Sequence, residues 1–343
     1  MKILAGFPAL ALSAPLALAP PSLAAAPADL PACAAAGDLS FVCGLVNVED
    51  FLPVEGGRWL VGSSFKLGSA GLYLIDTTAK TAQSVALSIA AQRDPNYADC
   101  SPPDLKALST HGLDVTARGH GESTVFAINH GGRESVEVFT LRPARASAEW
   151  VGCVVLPAGA NGNAVAALAH GAFVVTKFLD TNDKQAFQHV MAGEINGVVY
   201  LWRPGKGFSE VPGTALSGDN GIAASADGRW LFINAYGTRE IYRVPLTGKG
   251  ERSSVKVDFH PDNLRWAPDG QLFVTGQFLD PQNRTARHGW ATVRLDPKTM
   301  ALSPVVREPG MSEFDDATST VQVGQTLWFG TFRGDRIAYR SVP

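Results

Sequence analysis

Five residues able to hold a cation or a substrate recur along this chain at one phase of a repeated phrase: Glu49, His111, Asn163, Asn220 and Asn263. Asp262, beside Asn263, adds a second carboxylate. Two carboxylates with three amide oxygens form an all-oxygen donor set that suits a hard cation, and its number and looseness favour calcium over magnesium. A single Asn in such a place reads as a turn or strand-end hydrogen-bonding residue; five polar residues at a shared phase read as a site. Two histidines stand close to this set. His111 opens the second copy of the phrase, and His130 follows the apolar run Val125-Phe126-Ala127-Ile128, so a hairpin returns it to the level of His111. A neutral histidine takes a proton from water near pH 7, and a second one orients it. The expected chemistry is therefore activation of water beside a bound cation, with His111 and His130 catalytic. Lys177 and Arg333, each at a strand end, are candidates for binding a substrate carboxylate, although strand-end cations are ordinarily solvated.

The elements that position these residues are strands. Each phrase runs from a polar residue through a short apolar strand and a Gly-containing turn into a second apolar strand. Asn220 to Asn234, with Asp227-Gly228 in the turn, is the clearest copy, and Asn263 to Thr275, with Asp269-Gly270, is the next. Asp-Gly supplies the positive φ of a tight hairpin, and the flanking β-branched and aromatic residues favour strands. Further copies start at 49, 111, 163 and about 318, so successive starts lie 43 to 62 residues apart. That spacing is room for one four-stranded blade plus loops, and six copies predict an all-β, six-bladed β-propeller with a metal in its central channel. A two-sheet sandwich is the structural alternative, but it does not require one polar phase in every repeat. The segment from Asn182 to Glu194 breaks the pattern and reads as a short helix or lid within one blade's loop.

With 343 residues, 45% of them hydrophobic, the chain can bury a large core. Its formal charge of −3, with no basic stripe, argues against a nucleic-acid partner and leaves a small molecule as the expected one. Lys2, the apolar run after it and the small residues Ser22-Leu23-Ala24-Ala25-Ala26 predict a signal peptide over residues 1–25, with one propeller domain over 26–343. Pro8, Pro15, Pro20 and Pro21 and the short run argue against a spanning helix. The chain is expected to be exported, periplasmic or secreted. Four cysteines suit that oxidising setting. Of the three connectivities open to them, Cys33–Cys43 with Cys100–Cys153 is the expected one.

Taken in order, several of these segments resemble the paraoxonases. They are His111-Gly112-Leu113, Asn129-His130 with Ser135-Val136-Glu137-Val138-Phe139, and Asn220-Gly221-Ile222 with Ala226-Asp227-Gly228. Asp262-Asn263, Ser319-Thr320-Val321 and Phe329-Gly330-Thr331 complete the set. More broadly, residues 45–343 look like the gluconolactonase, regucalcin and paraoxonase superfamily of six-bladed propellers. The resemblance implies a hydrolase of lactones or aryl esters. It implies calcium on Glu49, Asn163, Asn220, Asp262 and Asn263, and the His111–His130 pair activating water, with Asp262 as an alternative base. It also implies a second, structural calcium, for which Asp50 and the Leu113 carbonyl match. The further aspartate needed there is replaced by Ala164, and no cysteine follows Cys153 to join the chain ends. Two other functions remain compatible with the same ring: lyase or isomerase chemistry, and non-catalytic binding.

Overall fold

The computed structural model describes residues 32–342 except 70, 281, 284 and 285; the predicted signal peptide lies outside the described residues. Six sheets, antiparallel but for one edge strand, follow one another around a central axis. Their innermost strands are Phe51–Val54, Thr110–Gly119, Ala160–Ala167, Asp219–Ala224, His260–Trp266 and Ala317–Val323. We number the blades 1 to 6 in that order. This is the six-bladed propeller expected from the repeats.

Each blade is buried on both faces, which explains why its strands read as continuous apolar runs rather than alternating ones. In blade 2, Val125 and Ala127 pack towards Leu72 and Leu74 of blade 1, while Phe126 and Ile128 pack towards Phe173 and Val175 of blade 3. Comparable clusters join blades 3 and 4, 4 and 5, 5 and 6, and 6 and 1. The core is thus a closed ring of inter-blade contacts around the channel.

Closure of that ring uses the beginning of the described chain. Leu39–Cys43 pairs antiparallel with Arg336–Ser341 of blade 6, and Ala32–Ala36 adds outside it. The Cys33–Cys43 disulfide pins these two strands together. A second disulfide, Cys100–Cys153, ties the loop before blade 2 to that blade's fourth strand, so both expected pairs are formed. Blade 2 gains an edge strand, Ala86–Ile89, which runs parallel to Ser147–Val155. The expected interruption in blade 3 contains the helix Ala186–Met191, between the strands Phe173–Asp180 and Val198–Arg203. Among the described residues, no helix is long and apolar enough to cross a membrane.

Candidate active site

Irregular strand pairing brings the polar residues together at one level of the inner strands. In blades 2 to 6 the pairing between the first and second strands slips at the same level. The slips fall between Thr110 and Leu113, Gly162 and Val165, Asp219 and Ile222, Pro261 and Leu264, and Ala317 and Ser319. These intervals contain His111, Asn163, Asn220 and the Asp262-Asn263 pair. A bulge breaks the alternation of a strand and re-aims the side chain it carries. Glu49 reaches the same level just ahead of the first strand of blade 1. Two glycines let the inner strands close up at this height. A Cβ at position 112 would lie 2.4 Å from the Asn163 carbonyl oxygen, and one at 221 would lie 2.3 Å from that of Asp262.

The result is a cavity of about 620 Å³ bordered by residues of the inner strands. Glu49, Asn163, Asn220 and Asp262 line it, with Asn263 packed behind Glu49. All five are buried, and four of their oxygens have no hydrogen-bond partner: Glu49 Oε2, Asn163 Oδ1, Asn220 Oδ1 and Asn263 Oδ1. The amide of Asn263 donates to Glu49 Oε1 and to Ser319 Oγ at 3.1 Å, which turns its own oxygen the other way. Buried acceptors left unpaired are costly, and four in one ring form a receptor for positive charge. The carboxyls report the same deficit. Burial, then repulsion from Asp262 and Asp50, pushes Glu49 well above its ordinary range. Burial, with Asp50 and Asp316 adding to it against the Gln277 hydrogen bond, raises Asp262 to about 7. The donor set therefore fits the calcium ion that the sequence suggested. It contains only two carboxylates, and among the described residues no three His, Cys, Asp or Glu side chains converge as a transition-metal site would require.

The residues do not fit a second ion between Asp50 and the Leu113 carbonyl. Arg265 fills that place: its Nε donates to Asp50 Oδ1 at 2.9 Å, and its Nη2 donates to Asp50 Oδ2 and to the Leu113 carbonyl at 3.1 Å.

Beside the oxygen ring, His111 stacks on Phe65, with ring centroids 4.0 Å apart. His111 Nδ1 and His130 Nε2 share a hydrogen bond of 2.9 Å, and His111 Nε2 lies 3.7 Å from Glu49 Oε2. Burial, and then His130, holds His111 well below its ordinary value, so the ring is neutral and available as a base. On its far side, His130 meets Glu134, 2.8 Å from Nδ1. Phe65, Leu67, Phe178, Leu179, Phe187, Leu279 and Phe332 give the same cavity a largely apolar wall, with Ser109, Asn161, Tyr236 and Lys66 also bordering it.

The expected ligand and histidine positions thus meet in one place. Lys177 and Arg333 do not join them. Lys177 pairs with Asp180 at 2.8 Å, and Arg333 pairs with Asp316 and, at 3.2 Å, Asp315. Neither stands among the described residues lining this cavity; Arg333 borders a separate surface pocket. Sequence reasoning missed Phe65, Glu134 and Arg265. Glu134, an acid four residues after a candidate base, carried a usable signal. So did Arg265, a charge between Leu264 and Trp266 inside a strand.

No family model and no curated protein matches the sequence. Solved structures match in shape. A luciferin-regenerating enzyme superimposes with a TM-score of 0.58 at 12% identity, over 88% of this chain and 92% of that one. A gluconolactonase from Xanthomonas campestris gives 0.55 at 17% identity, over 89% of each chain. The chain has the six-bladed propeller fold of the gluconolactonase-type proteins.

Proposed function

We propose that the protein is a calcium-dependent lactonase or esterase that acts on a small molecule. The observation that carries this reading is the set of four unpartnered, buried oxygens, three of them on residues that line one cavity together with a buried, neutral histidine. The shape likeness to a gluconolactonase supports it. Glu49, Asn163, Asn220, Asp262 and Asn263 would hold the ion. A bound calcium supplies Lewis-acid polarisation of the ester carbonyl.

The chain's own groups do the rest. His111 holds the attacking water and takes its proton as the new C–O bond forms; His130 orients His111 through the 2.9 Å hydrogen bond. The proton is returned to the departing alkoxide oxygen as the ester C–O bond breaks, leaving a hydroxy acid or an acid and an alcohol. The apolar walls exclude bulk water and receive the body of the substrate. The two disulfides support an exported protein in an oxidising compartment.

The test is a panel of γ- and δ-lactones and aryl acetates, assayed with calcium and with a chelator. Turnover is expected with calcium alone, and His111→Gln should retain calcium but lose about 10²–10⁴-fold in kcat. Calcium binding without turnover of any member would overturn hydrolysis and favour a lyase, an isomerase or a binding propeller. Full activity of His111→Gln would move the base to a carboxylate such as Asp262.

A further inference from the structure

Glu134 belongs to no motif, yet it terminates a line of three groups leading into the cavity. Its oxygens lie 2.8 and 3.0 Å from His130 Nδ1. The Gly162 backbone N–H donates to Oε2 at 3.1 Å and the Asn161 amide to Oε1 at 3.2 Å. Both oxygens are thus used as acceptors. The Asn161 amide nitrogen is also 3.3 Å from His130 Nδ1, a longer contact than the carboxylate makes with that ring.

With Glu134 as the acceptor and one proton on each ring, proton accounting along this line leaves one arrangement. An ionised carboxylate has no hydrogen to give, so His130 must carry its proton on Nδ1. A neutral imidazole protonated there has a bare Nε2, which accepts across the 2.9 Å contact from His111 Nδ1–H. His111 then has a bare Nε2, the nitrogen 3.7 Å from Glu49. We infer that Glu134 is a positioning residue that fixes the tautomers of both histidines and so presents the His111 Nε2 lone pair to the cavity.

The same line disposes of charge. When His111 Nε2 takes a proton from water, the proton on its Nδ1 can pass to His130 Nε2. The positive charge then rests beside the Glu134 carboxylate rather than inside a ring built for a cation. Delivery of one proton to the leaving oxygen reverses the shift, so no net proton remains on the protein. Glu134 acts through His130 and touches no reacting atom.

This role in turnover rests on the hydrolase reading; the tautomer assignment does not. The experiment therefore has two arms on the full chain. Nitrogen NMR of ¹⁵N-histidine-labelled protein should show both histidines protonated at Nδ1 and bare at Nε2. Glu134→Gln should mix or reverse those states, and Glu134→Asp should restore them in part. In the ester assay, Glu134→Gln should lower kcat about 10–100-fold with KM nearly unchanged, the usual effect of losing a histidine's orienting partner. Wild-type spectra with Nε2–H on either histidine overturn the inference, even if no variant folds. So do unaltered tautomers in Glu134→Gln, or an unaltered kcat where wild type is active. Wild-type protein that hydrolyses no ester would overturn only the hydrolase reading, because the nitrogen spectra still decide the role of Glu134.

Discussion

Arg265 lies with its guanidinium against the carboxylate of Asp50, both side chains almost wholly buried, and it joins blade 5 to blade 1 and, through the Leu113 carbonyl, to blade 2. A fixed cation thus sits close enough to the oxygen ring to act on the Glu49 carboxyl. Removing one partner strands the other charge in a dry interior. Arg265→Leu should cost about 3–5 kcal/mol, read from urea denaturation. Arg265→Leu with Asp50→Leu should cost less than the sum of the single changes, because neither charge is then left alone. A loss under about 1 kcal/mol in Arg265→Leu would show that the pair has no such role.

The four buried oxygens without hydrogen-bond partners predict that calcium stabilises the fold by mass action. At about one hundred times its dissociation constant it should add about 2.7 kcal/mol, and a chelator should remove that gain. Asp262→Ala should diminish the response more than Asn163→Ala, since it removes a charge as well as a ligand. Thermal melts with and without calcium, together with elemental analysis, provide the check. Zinc or iron at one per chain, with no calcium response, would contradict the assignment.

An alkaline limit on stability comes from Tyr97. Its hydroxyl donates to the Gly171 carbonyl at 2.8 Å across the blade 2–blade 3 junction, and its ring packs against Phe126 and Trp202. Burial, then Asp94, pushes it up to about 12. The folded value lies above the unfolded one, about 10. Its contribution is therefore complete below pH ~10 and is lost as pH rises towards ~12. Tyr242, also raised to about 12 by burial, acts in the same window. Tyr97→Phe should flatten part of the decline in unfolding midpoint across this range while Tyr242 keeps the rest. An unchanged slope would rule Tyr97 out.

What was legible before the structure followed from local causes. Asp227-Gly228 and Asp269-Gly270 mark hairpins by their φ requirement. The apolar run at Val125–Ile128 shows a strand buried on both faces. The recurrence of Asn and acid at one phase marks the channel. Long-range pairing left no such trace. Leu39–Cys43 finds its partner about 300 residues away in Arg336–Ser341, and nothing in either segment names the other. The bulges that aim Asn163 and Asn220 depend on two strands at once, so neither strand alone discloses them. Lys177 and Arg333 looked available because the sequence did not show Asp180 and Asp316 turning back upon them.

The apolar part of the cavity lining predicts which esters are preferred. Phe178, Leu179, Phe187, Leu279 and Phe332 offer little to hydroxyl groups, which lose hydration without gaining a partner where they meet these side chains. Lactones with alkyl or aryl substituents should therefore be hydrolysed with a lower KM than polyhydroxylated sugar lactones. Phe187 stands on the short helix of blade 3 and supplies neither an oxygen donor nor a proton acceptor, so shortening it should change binding and leave the chemistry in place. Burial of apolar area is worth about 25 cal/mol per Å², and a pocket gains about 1–3 kcal/mol per methylene it encloses. Phe187→Ala should raise KM about tenfold for an alkyl-substituted lactone, with kcat nearly constant and little change for the unsubstituted ring. Steady-state kinetics across a series of side-chain lengths would show it. A KM independent of chain length in wild type, or equal losses on substituted and bare lactones in the variant, would place the substrate elsewhere in the channel.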